Sequence, residues 1–370
     1  MTDSKELVEK TKRFLDQYLS DYKNYKEYWN YEDGCVLKAA RDLYENTGDK
    51  KYIDFILKYL SGCINEEGKI TNYEEGKFNI DSINAGKCLF AAYEETKDER
   101  YKNAIEQIMN QVRNQPRTST GNFFHKKIYP NQIWLDGLYM AQPFYMEYET
   151  KFDNREKYGD IVSQFENVQK YLLNSEKMLC YHAYDESKSM FWADKETGCS
   201  ANFWLRSMGW YLMALIDVID HIDADIYEHY SALTDIFRTM IKGILRYMDE
   251  ETGLFYQVID KKEVPGNYTE TSGSSMIAYS ILKACRLKVL LPEKYEETGK
   301  KIFEGIMRNK LTEDETGIHL SGICSVAGLG PDDNRRRDGS VEYYLSEPVV
   351  NDDPKGVGCF FMAFAQYLCL

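Results

Sequence analysis

No window of the 370-residue chain approaches eighteen uninterrupted apolar residues, so no membrane-spanning helix is expected. The opening stretch, MTDSKELVEKTKRFLDQYL, is charged and amphipathic and lacks the apolar segment that a secretory signal needs. No Pro-, Ser- or Gly-rich run interrupts the chain, and charge is mixed throughout. One large domain over residues 1–370, with a repetitive architecture, is therefore expected. Basic residues are in deficit: 46 Lys and Arg face 60 Asp and Glu, for a net charge of −14. Nucleic acid, which needs a basic face, is excluded as a partner. An anionic ligand would need a local cluster of cations against that global field. Nine cysteines are scattered without a C-x-x-C pair, which fits reduced, buried thiols in a cytoplasmic protein better than a disulfide framework. No H-x-x-H, H-E-x-x-H or Cys/His spacing suits a metal. There is also no Gly-rich phosphate loop and no G-x-S-x-G, so neither metal nor cofactor is expected.

What the chain does have is helical periodicity. Segments such as KYIDFILKYL and YKNAIEQIMNQV place apolar residues at i, i+3, i+4 and i+7. About twelve helices are predicted, near residues 5–24, 35–46, 50–62, 82–96, 98–113, 133–149, 155–174, 202–221, 225–248, 271–290, 292–309 and 356–369. Connections after the even helices are short and polar. Those after the odd helices are long, carry Gly, Asn and aromatics, and resemble one another: DEETGLF from Asp249 aligns with DESKSMF from Asp185 and EDETGIH from Glu313. Six helix pairs with self-similar loops are the mark of a repeat array. The apolar final helix, GVGCFFMAFAQYLCL, argues for a closed ring over an open solenoid. An all-α fold, an (α/α)6 barrel of six helical hairpins, is expected, with small residues such as Ala39, Ala85 and Gly273 near the starts of crowded inner helices.

Such a ring gathers the six long loops on one rim, where helix N-termini favour anions. Those loops deliver Tyr31 in YWNYEDG, Asp81 in FNIDSINAGK, His125, Lys126 and Asp136 in FFHKKIYPNQIWLDG, and His182, Trp204, Arg206 and Trp210 around CYHAYDE and SANFWLRSMGW. Taken alone, Asp81 reads as an ordinary helix N-cap. Asp136 is predicted a few residues inside its helix, among Trp, Leu, Tyr and Met, where a simple cap is less natural. Burying an unpaired carboxylate costs about 1–3 kcal/mol or more, which proteins retain mostly where they use it. Arg206 and Trp210, four apart, share a helix face and read as stacking core or as a site for a sugar carboxylate. The run of Arg335, Arg336 and Arg337 reads as solvated loop. With 30 Tyr, 17 Phe and 5 Trp, the rim suits an acidic carbohydrate without fixing the reaction.

The segments FNIDSINAGK, HKKIYPNQIWLDGLYMAQPF, YHAYDE, FWLRSMGWYLMAL, TETSGSSMIAYSILKA and YYLSEPVVNDDPKGVG together resemble the unsaturated rhamnogalacturonyl hydrolases, glycoside hydrolase family 105, which are related to the unsaturated glucuronyl hydrolases. The likeness runs in order over nearly the whole chain. It implies an (α/α)6 barrel and removal of a terminal 4,5-unsaturated galacturonic acid from the products of a rhamnogalacturonan (pectin) lyase. An Asp protonates C4 of the vinyl ether and then activates a water that adds at C5; the resulting hemiketal opens and frees the next sugar. That Asp falls on Asp136, whose apolar neighbours Trp134 and Met140 are expected to favour the neutral carboxyl that carbon protonation requires. The second family Asp falls on Asp81, expected to bind substrate and tune its partner. His125, Lys126, His182, Trp204, Arg206 and Trp210 are implied to line the sugar site, with Arg206 or His182 on the uronate carboxylate and the Trp rings on sugar faces. Residues 29–32, Tyr31 among them, are implied to close the pocket. The alternatives are an unsaturated glucuronyl substrate and a non-catalytic acidic-oligosaccharide-binding protein; the presence of both Asp residues speaks against the latter.

Overall fold

The computed structural model describes residues 2–24, 26 and 28–370, with side chains from Ser4 onward. Among these residues the helices are α1 (Thr2–Asp21), α2 (Tyr31–Thr47), α3 (Lys50–Ser61), α4 (Lys87–Thr96), α5 (Glu99–Asn114), α6 (Leu135–Phe152), α7 (Tyr158–Tyr171), α8 (Leu205–His221), α9 (Tyr227–Ile244), α10 (Thr271–Arg286), α11 (Pro292–Lys310), α12 (Val341–Ser346) and α13 (Pro354–Tyr367). A 3₁₀ segment, Ile80–Gly86, leads into α4. The inner ring runs α2, the 3₁₀ segment with α4, α6, α8, α10 and α13, and α13 packs back onto α2. The outer helices α3, α5, α7, α9 and α11 each cover an inner neighbour, and α1 lies against α11. This is the expected (α/α)6 barrel.

Sequence explains which helices lie inside. On α5 the buried residues Tyr101, Ala104, Ile105, Ile108, Met109 and Val112 form one stripe, as on a helix with a solvent face. On α10 every residue from Thr271 to Cys285 is buried, which only an inner position allows. Glycine lets the inner helices touch: a Cβ on Gly358 of α13 would lie 2.6 Å from the Cys35 carbonyl carbon of α2. All nine cysteines are free and seven are buried. Among the described residues no helix is long and apolar enough to cross a membrane.

The differences from expectation lie at the rim. Helix α2 starts at Tyr31 instead of residue 35 because the Asn30 side chain accepts from the Asp33 amide at 3.0 Å and caps it there. The segment predicted as one helix over 82–96 splits into the 3₁₀ segment and α4. Its cap is Asn79, which accepts from the Asp81 amide at 3.1 Å, so Asp81 is not the cap. The loops also hold four short antiparallel strand pairs, absent from the helical reading. In one, Gln132–Trp134 pairs with Ala183–Asp185, so the helix predicted from residue 133 begins at Leu135 and Asp136 lies in its first turn. The turn most like that of Asp249 is at Asp194: Asp194 Oδ1 accepts from the Thr197 amide and hydroxyl at 2.7 and 2.9 Å, and Asp249 Oδ1 from those of Thr252 at 2.9 and 2.9 Å.

The inner helices have no solvent face, so their polar residues pair with one another, within a helix or between helices. Lys283 Nζ lies 2.7 Å from Asp217 Oδ1 and 2.9 Å from Asp220 Oδ2. Lys38 pairs with Asp42, and Lys87 Nζ donates to the Tyr139 carbonyl at 2.7 Å. Arg41 makes two 2.7 Å hydrogen bonds to the Glu147 carboxylate. Glu149, fully buried, accepts from the Lys157 amide at 3.0 Å through one oxygen, and its other oxygen has no hydrogen-bond partner among the described residues. Burial pushes this carboxyl up to about 7 from an ordinary 4.5, against the Lys157 amide, which favours the charge. The folded protein therefore keeps a proton that the unfolded chain releases near pH 4–5. Stability falls as pH rises through about 7. Glu149→Gln is expected to raise Tm more at pH 8 than at pH 5; an equal shift at both would contradict the assignment.

Candidate active site

A cavity of about 240 Å³ opens at the rim where the inner helices begin. Two of its walls are fastened together. The Ile80 amide donates to the His125 carbonyl at 3.2 Å and the Lys127 amide to the Phe78 carbonyl at 3.3 Å. This brings Asp81 against the following loop, where Asp81 Oδ1 is 3.0 Å from His125 Nε2 and Oδ2 is 2.8 Å from Lys126 Nζ. Burial alone would raise the Asp81 carboxyl, but the charges and hydrogen bonds of Lys126 and His125 outweigh it and hold the group well below the usual carboxylate range. Asp81 is thus an ionised, clamped carboxylate. His125 in turn stacks on Trp134 at 4.9 Å between centroids. Gly137 makes room for it, since a Cβ there would lie 3.0 Å from His125 Nδ1.

Asp136 has a different setting. The strand pair fixes Trp134 opposite Ala183, and the Leu135 amide donates to the His182 carbonyl at 3.1 Å. Asp136 Oδ2 therefore lies 3.2 Å from His182 Nε2, although the two are not aligned for a hydrogen bond and each lacks one among the described residues. No Lys or Arg is ion-paired with Asp136 among those residues. His182 has no exposed surface; it is enclosed by Trp134 and Trp204, and its Nδ1 is 2.8 Å from the Tyr344 hydroxyl. Its place is behind Asp136, not on the cavity wall, unlike the position on the sugar site expected for it. Arg206 starts α8 with its guanidinium 4.7 Å from the Trp204 ring centroid, and its Nη1 donates to the Cys324 carbonyl and to Ser272 Oγ.

The sequence profile of glycosyl hydrolase family 88 matches residues 4–370. A structure of a glycoside hydrolase from family 105 of C. acetobutylicum is 42 % identical, with a TM-score of 0.90 and 99 % of each chain covered. The chain belongs to glycoside hydrolase family 88/105. Among curated relatives, the unsaturated rhamnogalacturonyl hydrolase YesR of Bacillus subtilis is 22 % identical over 267 residues, 70 % of this chain and 72 % of its own length. The unsaturated glucuronyl hydrolase of Bacillus sp. GL1 shares the fold, with 14 % identity, a TM-score of 0.64 and coverage of 91 % of this chain and 85 % of its own.

In this glycoside hydrolase the cavity gathers Tyr31, Asp81, His125, Lys126, Asp136, Trp204, Arg206 and Trp210, all singled out by sequence. The Trp rings are less available than expected: Trp210 stacks on Tyr139 at 4.7 Å, and Trp204 stacks on Tyr344 at 6.0 Å and carries Arg206. A ring face of each is already taken by protein. Trp29 is buried and braces the neighbouring loop, its Nε1 donating to the Ser82 carbonyl at 2.7 Å. Sequence reasoning missed Tyr129 and Arg337, which also line the cavity. The repeated cation signal at residues 335–337 was present, but which of the three arginines turns inward was not written in it.

Proposed function

We propose that the chain, acting as one catalytic domain over residues 1–370, releases the terminal 4,5-unsaturated galacturonic acid from rhamnogalacturonan lyase products. The observation that carries this reading is the unequal setting of the carboxylates that line one cavity: Glu32 is paired with Lys26 and Lys355, and Asp81 and Asp136 differ from each other. Asp81 is clamped by Lys126 and His125 and is spent on binding and on orienting that wall. Asp136 faces the cavity with no Lys or Arg paired to it among the described residues, and it is the proposed proton donor. In the proposed reaction Asp136 donates that proton to C4 of the vinyl ether. The carboxylate left behind stands in the first turn of α6, 3.2 Å from His182 Nε2. It then takes a proton from water as the water adds at C5. The C5 hemiketal opens to a ketone, the former ring oxygen stays on C1, and the C1 hemiacetal expels the second sugar.

Arg206 is the proposed partner of the uronate carboxylate, with His125 and Lys126 near the sugar hydroxyls. The name of YesR supports the galacturonyl substrate over the glucuronyl one, and the free buried thiols are compatible with a cytoplasmic setting. Incubation with the unsaturated galacturonyl-rhamnose and glucuronyl disaccharides, followed by loss of C=C absorbance, tests the substrate. Consumption of the glucuronyl sugar alone would overturn the assignment. Tyr344 is a positioning residue in this scheme, because its hydroxyl orients His182 behind Asp136. Tyr344→Phe removes one buried hydrogen bond of about 1.4 kcal/mol. An approximately tenfold fall in kcat with little change in KM is expected from steady-state kinetics. A change confined to KM would remove Tyr344 from this role.

A further inference from the structure

Three consecutive arginines sit on the loop that closes the cavity, and they are not equivalent. Arg336 Nη1 is 2.9 Å from Glu347, and Arg335 is exposed, 3.3 Å from Asp332. Arg337 is half-buried and lines the cavity, and its side chain makes no ion pair or hydrogen bond among the described residues. Its backbone is fixed: its amide donates to the Asn334 carbonyl at 3.2 Å, and its carbonyl accepts from the Gly330 amide at 2.8 Å. The side chain is also located. A Cβ built on Gly328 would lie 3.6 Å from Arg337 Nη1 and 3.4 Å from Trp134 Cζ3, so the guanidinium and the Trp134 ring both approach Gly328 on the cavity wall. Lys126, whose own carboxylate partner is Asp81, lines the same cavity.

A partly desolvated guanidinium without an anionic partner is unfavourable in a cavity that also holds Lys126, and its forked donors match a carboxylate. Arg206 stands elsewhere, at the start of α8 beside Ser272 and Cys324. One terminal uronate engages one of these walls and leaves the other cation unmatched. We propose that Arg337, in the cavity it shares with Lys126, forms a second anion subsite that takes the carboxylate of another uronic acid further along the oligosaccharide. The enzyme would then prefer substrates carrying two acidic sugars to those ending in a single one. The idea rests on the acidic-oligosaccharide reading of the same cavity and adds chain length and charge to it.

The test compares an unsaturated disaccharide whose second sugar is neutral with an unsaturated tetrasaccharide in which a second uronic acid follows. Wild-type protein is expected to show a higher kcat/KM on the tetrasaccharide. Arg337→Gln should cost that substrate about tenfold more than the disaccharide, mainly in KM, and Arg337→Lys should recover part of the difference. The preference should also shrink between low and high salt in wild type and not in Arg337→Gln, because a subsite near the cavity mouth is screened. Equal losses on both sugars would overturn the proposal by assigning Arg337 to the terminal uronate, and no loss on either would remove it from binding. If wild type consumes neither sugar, the proposed reaction fails, and calorimetric binding of the same two sugars to wild type and Arg337→Gln decides the subsite alone. A tetrasaccharide preference lost in the variant supports it; equal or absent binding overturns it.

Discussion

Asp136→Asn is expected to lower kcat on the unsaturated disaccharide by about 10³- to 10⁴-fold while the sugar still binds, the scale of losing a positioned acid and base. The amide keeps the size and place of the carboxyl at the start of α6, against His182 and beneath the cavity, but it has no proton to give to carbon. Nothing else is ready to replace it. Asp81 and Glu32 are the other carboxylates that line the cavity: Lys126 and His125 hold Asp81 ionised, and Glu32 is paired with Lys26 and Lys355. His182 is enclosed and faces Asp136 instead of the cavity. Kinetics and calorimetry on the same variant separate the two effects. Near-wild-type turnover would remove Asp136 from the mechanism, and loss of binding alone would make it a recognition residue.

The largest stability effect is expected in the barrel interior, away from the cavity. Arg41 and Glu147 join α2 to α6 by two 2.7 Å hydrogen bonds, and Lys151 Nζ lies 2.8 Å from the same carboxylate. Burial would raise the Glu147 carboxyl, but Arg41 and His221 overcome it and hold the group well below the carboxylate range. Glu147→Gln keeps the shape and removes the charge, leaving the Arg41 guanidinium buried without that counter-ion. Breaking a buried pair on one side costs about 3–5 kcal/mol, a Tm fall on the order of 10 °C. Replacing both partners by apolar residues of similar volume is expected to restore much of it. An unchanged Tm in Glu147→Gln would show that the pair contributes little.

These cases mark where sequence reading succeeds and where it stops. The ring was legible because periodicity, alternating loop lengths and an apolar last helix are local features that the barrel uses directly. The position of Asp136 was legible only in part. Its apolar company was visible, but the strand pair that sets Trp134 opposite Ala183 joins segments about fifty residues apart and shortens the predicted helix to start at Leu135. Asp81 resembled a cap because Asp caps well, yet Asn79 two residues earlier does that work and frees Asp81 for His125 and Lys126. Lys38, Arg41 and Asp42 put charge on α2, a helix of the inner ring. An inner helix has no solvent face, and the partner of Arg41 lies 106 residues away. Arg337 was hidden by its neighbours, since a run of three arginines does not say which one a folded loop turns inward.

The central claim is that the glycosidic bond breaks through the C4=C5 double bond and not by attack at the anomeric carbon. Two disaccharides that differ only in that double bond test it most directly, with release of the second sugar followed for each. The saturated sugar is expected to remain intact. The unsaturated one is expected to be cleaved, with its C=C absorbance lost no later than the second sugar appears. Cleavage of the saturated disaccharide at a comparable rate, or release of the second sugar while the double bond persists, would contradict the account.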